Sequence, residues 1–390
     1  MELSKNRKNL LVLILALGTF GVTNTEMGIM GILPIISRQY NVSIATAGGL
    51  VSYFALIIAI CGPFLPALLA RFNKKKIMLL AIGLFVVSCL ASAFITDFKL
   101  LLLARLLPAF LHPVFVSYAM STAALIADNN AESSRFVSRV FMGVSAGMVL
   151  GVPLANLIAS LGSFRLVMLT FAAINTLILI ACAVYLISIK DQNTQSFKAQ
   201  MKALIQPQTL IGIVTIICLN GAVFGFYSYL SDFLEKVSLL SAVVISALLL
   251  VYGLANVLGN GLAGSLLASN PHKVLVDLPI VMLVPYLIIY FLNQNLFLSF
   301  ILILIMGTFA GIDQNLNQYI MNDALKESPD LANGLFITGA NLGTTFGSMI
   351  AGKFITTWGT KSSLLATEIL LVIAIVIIML NPYFKKKKNS

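Results

Sequence analysis

Twelve apolar stretches run along this chain, at about 9–36, 45–70, 77–96, 100–126, 136–160, 165–189, 208–232, 238–266, 273–292, 296–320, 331–356 and 362–382. A bilayer's hydrocarbon core is about 30 Å thick, so a helix that crosses it needs roughly 20 mostly apolar residues. Together the stretches take up most of the 390 residues and leave no room for a soluble domain of any size. Hydrophobic residues make up 59% and charged residues 10%, against about 45–50% and 25% in soluble proteins. The chain reads as an all-α integral membrane protein with twelve transmembrane helices.

The net charge of +11 raises nucleic acid as a partner, and its placement argues against it. Eighteen of the 25 basic residues fall at the termini and on one set of alternate connections. They are Lys5, Arg7 and Lys8; Arg71, Lys74, Lys75 and Lys76; Arg135 and Arg139; Lys190, Lys198 and Lys202; Lys273; Lys326; and Lys385, Lys386, Lys387 and Lys388. The other set holds only Arg38, Lys99, Arg165, Lys236, Lys353 and Lys361, and Arg105 falls inside a span. Because Lys and Arg favour cytoplasmic loops, both termini are expected in the cytoplasm, which requires an even number of spans. Nucleic-acid binding needs a basic face on a soluble fold, and none is expected.

The basic N-terminus followed by LLVLILALG looks briefly like a secretory signal. The apolar run continues past signal length without a clear small-residue cleavage site, so it reads as the first span. Cys61, Cys89, Cys182 and Cys218 lie in apolar segments without metal or disulfide spacing. The chain has no HExxH, phosphate-binding glycine loop or nucleophile elbow. No metal, no cofactor and no enzymatic activity are expected.

The longest polar interval, 190–207, divides the chain into six-span halves at 1–189 and 208–390, with the interval itself as a cytoplasmic linker. Gly143, Gly147 and Gly151 recur every fourth residue in segment 5, followed by Pro153. Gly339, Gly343 and Gly347 repeat the ladder in segment 11, at an offset of 196. A glycine every fourth residue gives one helix face a smooth groove that a neighbouring backbone can approach. Asn24 and Asn220 share the same offset in the first span of each half. Parallel six-span repeats belong to transporters that bind substrate between their halves.

On these features the chain resembles the major facilitator superfamily. TEMGIMGILPIIS in segment 1, GPFLPALLARFNKKK after segment 2 and GVPLANLIA in segment 5 resemble its bacterial twelve-helix drug:proton antiporters, among them exporters of arabinose, purine nucleosides and chloramphenicol. The resemblance implies two pseudo-symmetric six-helix bundles in the major facilitator fold. It implies conformational roles for the basic loop Arg71, Lys74 and Lys75 and for the glycine ladders with Pro153. Ala70 stands where that loop's usual acid would be, and Asn73 replaces a glycine.

Ionisable residues at membrane depth are functional candidates by default. Glu26 lies roughly 25 Å along segment 1. It is either a proton carrier, since a carboxyl in a low-dielectric cavity can take up and release a proton, or a structural acid. Arg105 enters segment 4 at a similar depth, either as a partner of Glu26 or snorkelling to the interface. His112 is either a proton relay or a core histidine. Asp313, Gln314, Asn315, Asn317 and Gln318 form a polar cluster in segment 10. Either part of it lines a water-filled cavity, or the segment ends early and the cluster begins a loop. Asn24, Asn220, Tyr227, Asp313, Gln314 and Asn317 are the candidate substrate contacts. Tyr229 reads as either stacking surface or interfacial belt, while Asp232 and Glu235 read as outer-surface residues.

The expected protein is a monomeric secondary transporter of the bacterial inner or plasma membrane, exporting a drug, nucleoside or sugar against protons by alternating access. Glu26, Arg105 and His112 are its expected proton-coupling residues. An uncoupled facilitator or exchanger is the alternative. A membrane enzyme or a sensor fits less well, for want of a catalytic cluster or an output domain.

Overall fold

A computed structural model describes residues 4–69, 71–187, 206–292, 295–326 and 329–381. Ala70, most of the interval 190–207 with Lys190, Lys198 and Lys202, and Lys385 through Lys388 lie outside the described residues. Among those described there is no strand. The helices are α1 (Lys5–Gly31), α2 (Leu33–Gln39), α3 (Ile44–Cys61), α4 (Leu65–Leu69), α5 (Lys74–Phe94), α6 (Phe98–Leu106), α7 (His112–Leu125), α8 (Asn130–Leu161) and α9 (Phe164–Tyr185). They continue as α10 (Pro207–Tyr227), α11 (Leu230–Lys236), α12 (Ala242–Ser269), α13 (Pro271–Phe291), α14 (Leu296–Ala324), α15 (Pro329–Trp358) and α16 (Ser363–Leu380).

Among the described residues, eleven segments are long and apolar enough to cross a membrane. α15 is 30 residues long, but its run of Gly, Thr, Asn and Ser between Gly339 and Ser348 dilutes its hydropathy. With α15 the rods number twelve, each in register with one of the sequence stretches.

Polar residues at the connections start the helices. Asn73, Asp97, Asn129, Asn270 and Asn295 each accept a hydrogen bond from the backbone N–H three residues on, satisfying donors that a helix's first turn leaves open. Pro207 and Pro271 open their helices, where a missing N–H is harmless. Prolines inside span 4 act differently. α6 stops before a 3₁₀ turn at Pro108–Phe110, and α7 restarts at His112 with Pro113 in its first turn.

The chain forms two compact units, Met1–Tyr40 with Ile60–Thr194, and Asn41–Ala59 with Gln195–Ser390. The stretch Asn41–Ala59, which belongs to the first half in sequence, thus clusters with residues of the second. Thr345 donates to the Ser52 carbonyl at 3.2 Å, and the Tyr229 hydroxyl fills the space beside Gly48 and Gly352.

In the first unit α1 packs on α8 and α9, and α5 on α9. All three ladder glycines of α8 face α1: a Cβ on Gly147 would stand 2.9 Å from the Phe20 carbonyl oxygen, and one on Gly151 3.0 Å from that of Asn24. Pro153 is buried two residues further on, and Asn156 donates to the Gly31 carbonyl at 2.7 Å. At the other end of α1, buried Lys8 pairs with Asp128 and lies 3.8 Å from Glu132.

In the second unit α10 packs on α15 and α16, and α12 on α14. The second ladder repeats the first: a Cβ on Gly343 would stand 3.0 Å from the Asn220 Cβ, and Gly347 lies against the Gly221 backbone. The 196-residue offset therefore matches equivalent helix contacts in the two units. Asp232, expected at the outer surface, is interior, and so is Tyr229, which the sequence left open between stacking surface and interfacial belt. Asp232 is fully buried, accepting from Thr360 at 2.8 Å and pairing with Lys236 at 2.7 Å. Tyr229 is buried and donates to the Ser348 carbonyl at 3.1 Å. Both lie where the chain turns from α10 into α11, whose residues Leu230 through Leu234 are buried.

Candidate functional site

The first unit brings three intramembrane ionisable groups together. Glu26 Oε2 lies 3.1 Å from His112 Nε2, with the two side chains only 12% and 10% exposed. The 3₁₀ turn at Pro108–Phe110 re-phases span 4, so His112 leads α7. The Phe85 ring flanks the imidazole at 6.0 Å between centroids.

Arg105 is buried and does not pair with Glu26. Its Nη2 donates to the carbonyl of neighbouring Thr25 at 2.9 Å, and it stays within electrostatic reach of Glu26 and beside the Cys89 thiol. A buried guanidinium needs acceptors, and a backbone carbonyl on α1 serves here. Thr25 also receives the Asn175 amide on its hydroxyl at 2.8 Å, tying α9 to the same point. Nothing in the spacing of isolated small polar residues announces Thr25, Cys89 or Asn175 as partners in this cluster.

The second unit holds a separate cluster. α14 continues to Ala324, so Asp313 and its neighbours lie well inside a helix, and the early-loop alternative falls away. Asp313 is 1% exposed. Its Oδ2 accepts from Asn317 Nδ2 at 2.8 Å, one helical turn on, while Asp313 Oδ1 and Asn317 Oδ1 have no hydrogen-bond partner among the described residues. Tyr252 and Tyr286 lie within electrostatic reach of this carboxyl. Tyr227 stacks on Tyr252 at 4.5 Å and 19°. Tyr252 and Tyr286 are additions to the residues read from sequence.

The other candidates distribute unevenly. Gln314 is part-exposed, Gln318 is exposed, and Asn315 turns to α12, donating to Asn260 Oδ1 at 2.5 Å. Asn24 is buried against Gly147, and neither of its amide atoms has a hydrogen-bond partner among the described residues. Its counterpart Asn220 donates to the Ala340 carbonyl at 2.6 Å and to Thr344 at 3.1 Å, so its amide is already engaged with α15. Met148 stands 196 residues before Thr344, which removes the matching partner from Asn24. In the loop after span 2, Lys74 is buried and donates to Ser121 at 3.1 Å, whereas Arg71 is exposed over the Phe72 ring and Lys75 is part-exposed.

The Major Facilitator Superfamily model matches residues 15–276 and 239–390. The chain is 28% identical over 346 residues to "Inner membrane transport protein YdhP" of Escherichia coli (strain K12), covering 88% of each. It is 26% identical over 344 residues to "Probable sugar efflux transporter" of Helicobacter pylori, covering 87% of this chain and 88% of that protein. The crystal structure of a bacterial homolog to the human lysosomal transporter Spinster, inward-facing and unoccupied, matches with a TM-score of 0.81 at 17% identity. It covers 99% of this chain and 98% of that one, a likeness of fold. The chain belongs to the Major Facilitator Superfamily, and is a multi-pass membrane transporter, not an enzyme.

Proposed function

We propose that this transporter is a proton-coupled antiporter that exports a small organic molecule, a drug, nucleoside or sugar, from a bacterium by alternating access. In this reading it works as a monomer in the cell membrane with both termini cytoplasmic. The observation that carries it is the buried contact between Glu26 and His112. A carboxyl and an imidazole at hydrogen-bond distance exchange a proton with little change in geometry. One added proton converts a carboxylate–imidazole pair into a carboxylate–imidazolium pair, beside a guanidinium that does not titrate. The extra charge raises the electrostatic energy of the site in one conformation and is released in the other, which is the linkage an antiporter needs.

Asp313, Asn317, Tyr227, Gln314, Asn220 and Asn24 are the proposed substrate contacts, joined by Tyr252 and Tyr286. Orphan acceptors beside tyrosine rings suit a cargo that brings hydroxyl or amine donors. The name of the Helicobacter pylori relative supports the outward direction and a hydroxyl-bearing cargo. The glycine ladders, Pro153 and the basic residues Arg71, Lys74 and Lys75 are proposed to serve the conformational change, with 190–207 as the linker between halves 1–189 and 208–390.

The test uses purified protein in liposomes with an imposed pH gradient and a panel of nucleosides, sugars and lipophilic cations. The wild type should drive one class uphill, and Glu26→Gln should lose gradient-driven flux while retaining downhill exchange. Wild-type uphill flux in Glu26→Gln would overturn the coupling assignment.

A further inference from the structure

On the second unit, Phe354 and Trp358 of α15 and Glu368, Ile369, Val372 and Ile373 of α16 line an open groove of about 530 Å³. Trp358 is 65% exposed, and Ile369, Val372 and Ile373 are exposed as well. In a chain that crosses a bilayer, such a face meets acyl chains. Glu368 breaks that pattern, as the only charged group lining the groove among the described residues. Its Oε1 is shut off from solvent and accepts no hydrogen bond among the described residues. A carboxylate oxygen left this way among apolar side chains is a strong unmet acceptor.

The position of the charge selects the occupant. Glu368 comes five residues after Ser363, the first residue of α16, roughly 8 Å along the helix axis. Lys361 lies before α16, with its Nζ 4.5 Å from the Tyr290 ring centroid, nearer the helix end and therefore nearer water. A zwitterionic lipid carries its ammonium outward of its phosphate. Here the order is reversed, since the cation lies outward of the carboxylate. The site fits instead a molecule whose positive charge sits below the headgroups on an apolar body. Phe354 and Trp358, edge to face at 4.8 Å, supply an aromatic wall of the kind that attracts such cations.

We propose that this groove binds a lipophilic organic cation taken from the bilayer, with its charge on Glu368 and its body along Trp358, Ile369, Val372 and Ile373. The inference deepens the drug branch of the proposed function and does not depend on Glu26.

Trp358 is the chain's single tryptophan, so tryptophan emission reports on this groove directly. Purified full-length protein in detergent is titrated with tetraphenylphosphonium and, separately, with neutral triphenylphosphine oxide. The expected result is a saturable emission change with the cation and none with the neutral compound. Glu368→Gln should weaken cation binding at least about tenfold. Val372→Phe fills the groove while keeping the carboxylate, and should also abolish the response. Absence of a saturable response in the wild type, or equal affinity in Glu368→Gln, overturns the proposal. Loss of the signal in Glu26→Gln but not in Glu368→Gln would place cation binding at the first unit's ionisable cluster and also overturn it. Loss of gradient-driven transport in Glu26→Gln with the Trp358 signal intact bears on coupling alone.

Discussion

Gly147 of α8 packs so closely on Asn24 of α1 that a Cβ built on it would stand 2.9 Å from the Asn24 backbone nitrogen. The obstacle is main chain, which cannot turn aside as a side chain can. Gly147→Ala should therefore push the two helices apart and destabilise the protein by about 1–3 kcal/mol, read as a lower melting temperature in detergent. Gly83→Ala, where nothing lies within 4 Å of the added carbon, should leave the melting temperature unchanged or raise it.

Asp313→Asn and Asp313→Ala separate charge from hydrogen bonding. The asparagine still offers Asn317 an acceptor in place of the carboxylate oxygen 2.8 Å away. It should fold normally while raising the KM for a donor-bearing cargo about tenfold. The alanine leaves the Asn317 amide unmatched and should in addition lower stability by about 1–2 kcal/mol. Initial-rate uptake into liposomes, paired with thermal melts of both variants, measures the two effects.

Asn315, Asn260 and Asn256 form a relay of amides between α14 and α12, with the second link, from Asn260 Nδ2 to Asn256 Oδ1, at 3.0 Å. A double-mutant cycle with Asn260→Ala and Asn315→Ala should return a coupling of about 0.6 kcal/mol and no more than about 1.7 kcal/mol. Additivity of the two single losses would mean that the short contact contributes nothing to stability.

Tyr40, between α2 and α3, lies edge-on to Phe98 and Phe164, and its hydroxyl donates to the Ile95 carbonyl at 2.7 Å. Burial pushes its phenol up to about 12 from the usual 10.0. The folded state thus favours the neutral form. That contribution is complete below pH 10 and is lost as the pH climbs through about 12. Tyr40→Phe should begin less stable by about 1 kcal/mol, and the gap to wild type should close between pH 10 and 12. Paired melts across that range test the sign.

Much of the fold was legible in the chain because the bilayer leaves few choices. Segment length marked the spans, and the 196-residue offset from Gly147 to Gly343 pointed to contacts that recur against Asn24 and Asn220. What stayed hidden depends on rotation about helix axes. Depth arithmetic placed Arg105 level with Glu26, but the 3₁₀ turn after Pro108 turns span 4 so that His112, not Arg105, meets the carboxyl. Tyr252 and Tyr286 stand singly in apolar runs more than 25 residues apart, and only the packing of α12, α13 and α14 brings them to Asp313. Asp232 looked exposed because sequence position says where a helix ends and nothing about which way the chain then folds.

Span 4 grips two consecutive residues of α1 from opposite sides of its own break. Arg105, before Pro108, holds the Thr25 carbonyl, and His112, after Phe110, meets Glu26. A rod jointed between two such anchor points cannot flex without lengthening one of them. Straightening or bending at Pro108–Phe110 is thereby geared to the Glu26–His112 separation, so that the shape of one helix and the distance between two buried side chains turn on the same axle.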